Sequence, residues 1–260
     1  DTTGGDGCSS VCQTEAQDPG VGGWTYRKNI TLNEAQVSGT SAHANFPMYI
    51  DITDSNLQAN AQNDADDVYF TLNDGTTKLA HEIVSYNSSN GQVKAWIKIP
   101  SLSATSNTTI YMYYGNPSAA NQENIGNVWS EYKGVWHLEE NPAATAPQIL
   151  DSTSNDNKGT SNGSMVSGNS GVGKLGNALT FDGTNDSISM GDPSNGSLDV
   201  GASEDFTLQG WVKTTHTTSG IQILAKGASG GATGDGYKIY LNAPTSGRLG
   251  YRLDGALGGA

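Results

Sequence analysis

The chain has 260 residues, of which 35% are hydrophobic and 8% aromatic, with 34 glycines. A formal charge of −13 and only 13 Lys and Arg residues argue against nucleic acid and against an anionic bilayer surface as partners, since both need clustered cations. No apolar run is long enough to span a bilayer, and the length suits two sandwich-sized domains better than one.

Residues 1–23 are rich in Gly, Asp and Ser and carry both cysteines, Cys8 and Cys12. The chain opens on Asp1 rather than Met, so a processed or partial chain is expected and a signal peptide is neither seen nor excluded. Residues 24–129 read as a first β-sandwich. Trp24, Tyr26, Lys28, Ile30 and Leu32 alternate with their neighbours, as do Phe46, Met48, Ile50 and Ile52. Val68, Phe70 and Leu72 form one face of a third strand. Val93, Ala95, Ile97 and Ile99 form a face of the next, which Pro100 is expected to end because it cannot donate to a ladder. A strand over 110–114 closes the series. One short helix is expected, over 118–124. Asn73-Asp74-Gly75 and Asn90-Gly91 supply hairpin turns.

Residues 130–260 repeat the pattern with longer Gly/Asn/Ser loops. An opening strand is expected around Trp136 and Leu138, then strands over 179–181, 188–190, 206–212, 221–224, 237–241 and 249–253. Trp211 is expected in the core of its strand. The fold class that follows is all-β: two consecutive antiparallel β-sandwich, jelly-roll-like domains, the second expected to be incomplete at its C-terminus.

Three resemblances cover most of the chain. Gly5-Asp6-Gly7-Cys8 followed by Cys12 (residues 5–15) resembles the end of a myxobacterial-type cysteine-rich repeat. That resemblance implies that Cys8 and Cys12 are disulfide-bonded in an oxidising compartment, with partners further upstream. Residues 24–117 carry Trp24-Thr25-Tyr26-Arg27-Lys28, Asn45-Phe46-Pro47, Lys78-Leu79-Ala80-His81-Glu82-Ile83, Ala95-Trp96-Ile97-Lys98-Ile99-Pro100 and Tyr113-Tyr114-Gly115-Asn116-Pro117. This set resembles a bacterial and archaeal surface domain of unknown function. Gly134-Val135-Trp136-His137-Leu138, Asp151-Ser152-Thr153, the run from Gly173 to Gly183, Phe206-Thr207-Leu208-Gln209-Gly210-Trp211-Val212 and Leu224-Ala225-Lys226-Gly227 are similar to the laminin-G-like branch of concanavalin-A-like jelly rolls. The later strands of that pattern are expected beyond Ala260.

The chemistry legible in the sequence is sparse. His81 and Glu82 are adjacent on a strand and point to opposite faces, so they cannot form a dyad. His137 beside Glu139 and Glu140 reads as a solvated neighbour of core residues. No Glu-x-Asp-x-Glu run, Gly-x-Ser-x-Gly elbow or His-Glu-x-x-His motif is present, and the chain is read as non-enzymatic. Asp182, Asn185 and Asp186 in one loop, with Asp151 in another, are the candidate ligands for calcium, a hard cation that takes carboxylate and amide oxygens. The competing reading is that these residues simply make Asx-type turns. The 63–67 cluster, Asn63-Asp64-Ala65-Asp66-Asp67, reads as a solvated turn. Trp96 is the candidate ligand-binding residue. It stands either as an exposed platform for a sugar ring or as a cap at the second sandwich. The functional expectation is an extracellular or cell-surface adhesion module that recognises glycans or surface proteins, calcium-assisted through the loop above. The alternatives are a structural spacer and the non-catalytic appendage of a secreted glycan-degrading enzyme.

Overall fold

The computed structural model describes residues 22–200, 204–215, 221–227, 236–242 and 248–254; Cys8 and Cys12 lie outside them. It is an all-β structure in which every ladder is antiparallel. The chain divides into two compact units, one formed by residues up to 132 together with 152–154, the other by 133–151 and 155 onward.

Among the described residues the first unit holds seven strands: β1 (Tyr26–Leu32), β2 (His43–Thr53), β3 (Tyr69–Leu72), β4 (Lys78–Leu79), β5 (His81–Asn87), β6 (Gln92–Leu102) and β7 (Thr108–Tyr114). They form a four-stranded sheet of order β1-β7-β3-β4 and a three-stranded sheet of order β2-β6-β5. Both sheets supply one apolar core. Phe70, Ile110, Met112 and Tyr114 come from the first, and Ile50, Val93, Ala95, Ile97 and Ile99 from the second. The period-2 alternation of β6 buries its odd-numbered side chains completely from Val93 to Ile99, as the sequence pattern requires.

Several expectations are corrected. β6 continues through Pro100 to Leu102. Lys98 N donates to Ala80 O, and strand alternation places the nitrogen of Pro100 on that same side. There β5 pairs no further than Ile97, so no ladder donor is lost. The 118–124 segment is not helical. The α-helices among the described residues are instead α1 (Ser55–Asn60) and α2 (Ile125–Val128). α1 is started by Asp54, whose carboxylate accepts from Asn56 N at 2.8 Å and Leu57 N at 2.9 Å, an N-cap of the ordinary kind. Asp67 is not a solvated turn residue: it is wholly buried.

The second unit contains β8 (Thr160–Asn162), β9 (Ser170–Val172), β10 (Asn177–Leu179), β11 (Ser187–Ser189), β12 (Ile221–Lys226), β13 (Gly236–Asn242) and β14 (Arg248–Asp254). These make two-stranded ladders β10-β9 and β11-β8 and a three-stranded sheet of order β12-β13-β14. Residues 134–139 are not a strand. Leu138 takes a left-handed φ of 58°, which an extended strand does not allow, and Trp136 Nε1 donates to Asn157 O at 2.8 Å. Residues 206–212 also lie outside any ladder. Trp211, expected in the core, is 72% exposed.

Candidate functional site

The three-stranded sheet of the first unit turns its even-numbered β6 side chains away from the core, which places Trp96 and Lys98 on one outer face. Trp96 sits between two other aromatic rings. Its centroid is 5.1 Å from that of Tyr49, its cross-strand partner on β2, and 5.3 Å from that of Trp129. Tyr132 continues the array at 5.2 Å from Trp129. The array is pinned from below by Glu82, a buried carboxylate on β5. Glu82 accepts from Trp129 Nε1 and from Ser152 Oγ, both at 2.6 Å. Trp96 is thus half-buried within an aromatic array rather than standing alone.

Beside this array lies a groove of about 230 Å³ lined by Asn45, Lys78, Leu79, Ala80, Lys98, Pro100 and Asn127. Asn45 is held at a left-handed φ of 51° opposite Pro100, and its amide donates to Glu131. Lys98 Nζ donates to Ser130 Oγ at 2.8 Å and Asn127 O at 3.2 Å, with Glu131 4.0 Å away. Lys78 Nζ lies 4.5 Å above the Tyr69 ring and 5.4 Å from that of Trp24, and it donates to Gln122 Oε1. The groove lining therefore carries ammonium, amide and carbonyl groups, with the Glu131 carboxylate bonded to its Asn45 and near its Lys98 and aromatic rings against its Lys78. That mixture suits a ligand whose groups both donate and accept and which also has an apolar face.

The loop candidates for calcium are organised by their own backbone. Asp182 Oδ1 accepts from the N–H groups of Thr184, Asn185 and Asp186, and Asp182 N donates to Asp186 Oδ2 at 3.1 Å. Those N–H groups, Thr184 first, hold the Asp182 carboxyl below its usual range. Asp151 is buried and bonds elsewhere, accepting from Val135 N and Asn157 N, each at 2.9 Å. Among the described residues no group of three or more His, Cys, Asp or Glu side chains is placed to hold a metal.

His81 and Glu82 face opposite ways, as alternation demands: His81 pairs with Ile97 and packs edge-on to Phe70, while Glu82 pairs with Trp96. Asp67 is the structurally decisive acid that the sequence reading passed over. Its Oδ1 accepts from Gln62 N at 2.9 Å, its Oδ2 accepts from Gly115 N at 2.7 Å and Asn116 N at 2.9 Å, and its carbonyl takes the Trp24 indole. The signal was available in the spacing of Asp67 ahead of a buried strand, but acidic crowding in Asp64-Ala65-Asp66-Asp67 disguised it.

Residues 64–140 match a protein-family model described as a domain of unknown function (DUF2341). The match runs from the turn before β3, past α2 and into the second unit; it includes Asp67, Lys78, Trp96, Lys98 and Trp129 but not Asn45 of the groove or Tyr49 of the array. No curated protein and no solved structure matches the chain.

Proposed function

We propose that the chain is a binding module of an extracellular or cell-surface protein, that it recognises a carbohydrate, and that the Lys78/Lys98 groove beside Trp96 is the site. The observation that carries this reading is the chemistry of the groove. Sugar hydroxyls both donate and accept, and the apolar face of a pyranose stacks on aromatic rings; the groove, lined from both sheets, and the Trp96 array provide the two kinds of partner. The likeness of the second unit to laminin-G-like jelly rolls supports the same class by resemblance, as a fold-level analogy. A spacer, or the non-catalytic appendage of a glycan-degrading enzyme, is the rival. A glycan array followed by calorimetric titration tests the proposal. One class of oligosaccharide should bind, and Trp96→Ala and Lys98→Ala should each weaken it about tenfold or more, equivalent to about 1.4 kcal/mol. Binding unaffected by both substitutions would move the site elsewhere.

Calcium assistance is a separate part of the proposal, confined to the 182–186 loop, which brings the Asp182 and Asp186 carboxylates into one turn with Asn185 between them. Calcium bound there stabilises the folded state by mass action, so the melting temperature should rise on adding calcium and Asp186→Ala should abolish the rise. A curve that chelator leaves unchanged removes calcium from the account.

A further inference from the structure

The groove of the first unit differs from the rest of the chain in its charge. The chain carries 26 Asp and Glu residues against 13 Lys and Arg, yet the groove is lined by Lys78, Lys98, two asparagines and no acid. Neutral partners hold both ammonium groups in place. Lys78 Nζ donates to Gln122 Oε1 at 2.9 Å and sits over the Tyr69 ring. Gln122 Nε2 in turn donates to Ala120 O at 2.6 Å, which leaves the Gln122 carbonyl oxygen for the lysine. Lys98 Nζ donates to Ser130 Oγ and to Asn127 O. Among the described residues no carboxylate lies within 4.0 Å of Lys78 Nζ, and the one nearest Lys98, Glu131, stands 4.0 Å away, outside hydrogen-bond reach.

An ammonium has three N–H donors and no acceptor. Lys98 spends two of them on the protein and Lys78 one, so each keeps a donor for a ligand. Neutral partners fix where each charge sits without cancelling it, and an anion that meets such a charge makes bonds about twice as strong as neutral ones. The donor set already suits a carboxylate: Asn45 Nδ2 donates to Glu131 Oε1, and Lys98 Nζ approaches the same oxygen. The net charge of −13 does not oppose this, because beyond roughly 8 Å at physiological ionic strength exposed charges are largely screened and the local sign decides. We propose that the sugar taken by this groove is acidic: an oligosaccharide bearing a carboxylate or a sulfate, whose anionic group takes the donors that Lys78 and Lys98 have left. The inference rests on the carbohydrate reading of the groove and adds the class of sugar to it.

The test is calorimetric titration of the 260-residue chain with oligomers of galacturonic, glucuronic and mannuronic acid, with the same oligomers after reduction of each carboxyl to an alcohol, and with sulfated galactose oligomers. At least one acidic oligomer should bind about tenfold more tightly than its neutral counterpart, and that advantage should shrink as salt is raised. The uronic and sulfated arms say which anion is taken. Lys78→Met should cost the acidic oligomer about tenfold more than it costs the neutral one, and Lys78→Arg, which keeps the charge, should retain most of the preference. Unchanged melting curves would show that both variants fold. Neutral oligomers that bind as well as acidic ones, with Trp96→Ala and Lys98→Ala still weakening them, would overturn this inference and leave the carbohydrate site standing. A preference for acidic oligomers that Lys78→Met leaves intact would overturn it as well. Binding of neither kind would remove the carbohydrate reading itself, and this inference with it.

Discussion

Asp67 holds three backbone N–H groups of two separate segments with its two carboxylate oxygens. Hydrogen bonds to a charged acceptor contribute more than neutral ones, and a buried donor left without a partner costs its full desolvation. Asp67→Ala is therefore expected to destabilise the first unit by at least about 3 kcal/mol, read as a shift in the denaturant midpoint at unchanged slope; a loss below about 1 kcal/mol would mean that water replaces the carboxylate. His81 makes a prediction in pH. Its ring is buried against Phe70 and its Nε2 has no hydrogen-bond partner. Burial pushes its pKa down, only partly offset by the Leu79 carbonyl and Glu123. The unfolded chain takes up a proton near pH 6.5 while the folded chain does not. Stability is then full above about pH 6.5 and falls below it by up to about 1.4 kcal/mol per pH unit, until the depressed folded pKa is reached. His81→Phe should flatten that limb of the stability curve, and a wild-type curve already flat between about pH 7 and pH 5 would show that the ring finds a partner for its proton.

At the scale of elements, α1 shows how one residue ties a helix, a strand and a turn together. Asp54 caps the helix and forms an ion pair at 2.5 Å with Lys28 of β1. Burial alone would raise the Asp54 carboxyl, but the Lys28 hydrogen bond and the Leu57 and Asn56 N–H groups bring it below its ordinary value. Asp54→Ala should cost about 1–2 kcal/mol through the lost cap, and the Asp54 contribution should fade as pH falls through the depressed carboxyl pKa. The Asn90-Gly91 turn packs on the same spot: Gly91 has a φ of +70°, and a Cβ there would overlap the carbonyl oxygen of Asp54. Gly91→Ala should thus be among the most damaging turn substitutions, with thermal melting as the readout and a loss under about 1 kcal/mol as the contrary result.

These elements also show what the sequence could reveal. The alternation in β6 was legible because one face is wholly core. β3 was only half legible: Tyr69 and Thr71 are buried as well as Phe70, since the Tyr69 ring lies under Trp24 and Lys78 and stacks on Tyr113 at 4.9 Å, and no periodicity announces cover on the second face. The Asp54-Ser55-Asn56-Leu57 cap was readable and α1 was missed because six residues show too little helical period. Residues 206–212 have a strand's pattern without a ladder, because pairing is decided by neighbours and not by alternation. Of the site, Trp96 was legible from its place opposite the core face. The groove was not, because Asn45, Lys78 and Asn127 come together only through the path of three separate segments.

On the scale of the whole molecule, the division into two units does not follow a single cut in the chain. Residues 152–154 belong with the first unit, where Ser152 Oγ donates to the buried Glu82. A fragment covering 22–154 should accordingly be more stable than one ending at 132, and Ser152→Ala in the full chain should cost about 1 kcal/mol. Equal melting temperatures for the two fragments would show that the 152–154 segment adds nothing to the first unit. The central claim is that this first unit is a carbohydrate receptor whose groove lies beside Trp96. Calorimetric titration of the full chain with the best oligosaccharide from a glycan array, repeated on Lys98→Ala and Trp96→Ala, tests it most directly. The account predicts saturable binding that both substitutions weaken about tenfold or more. An array on which no glycan binds above background, or binding that survives both substitutions intact, would contradict it.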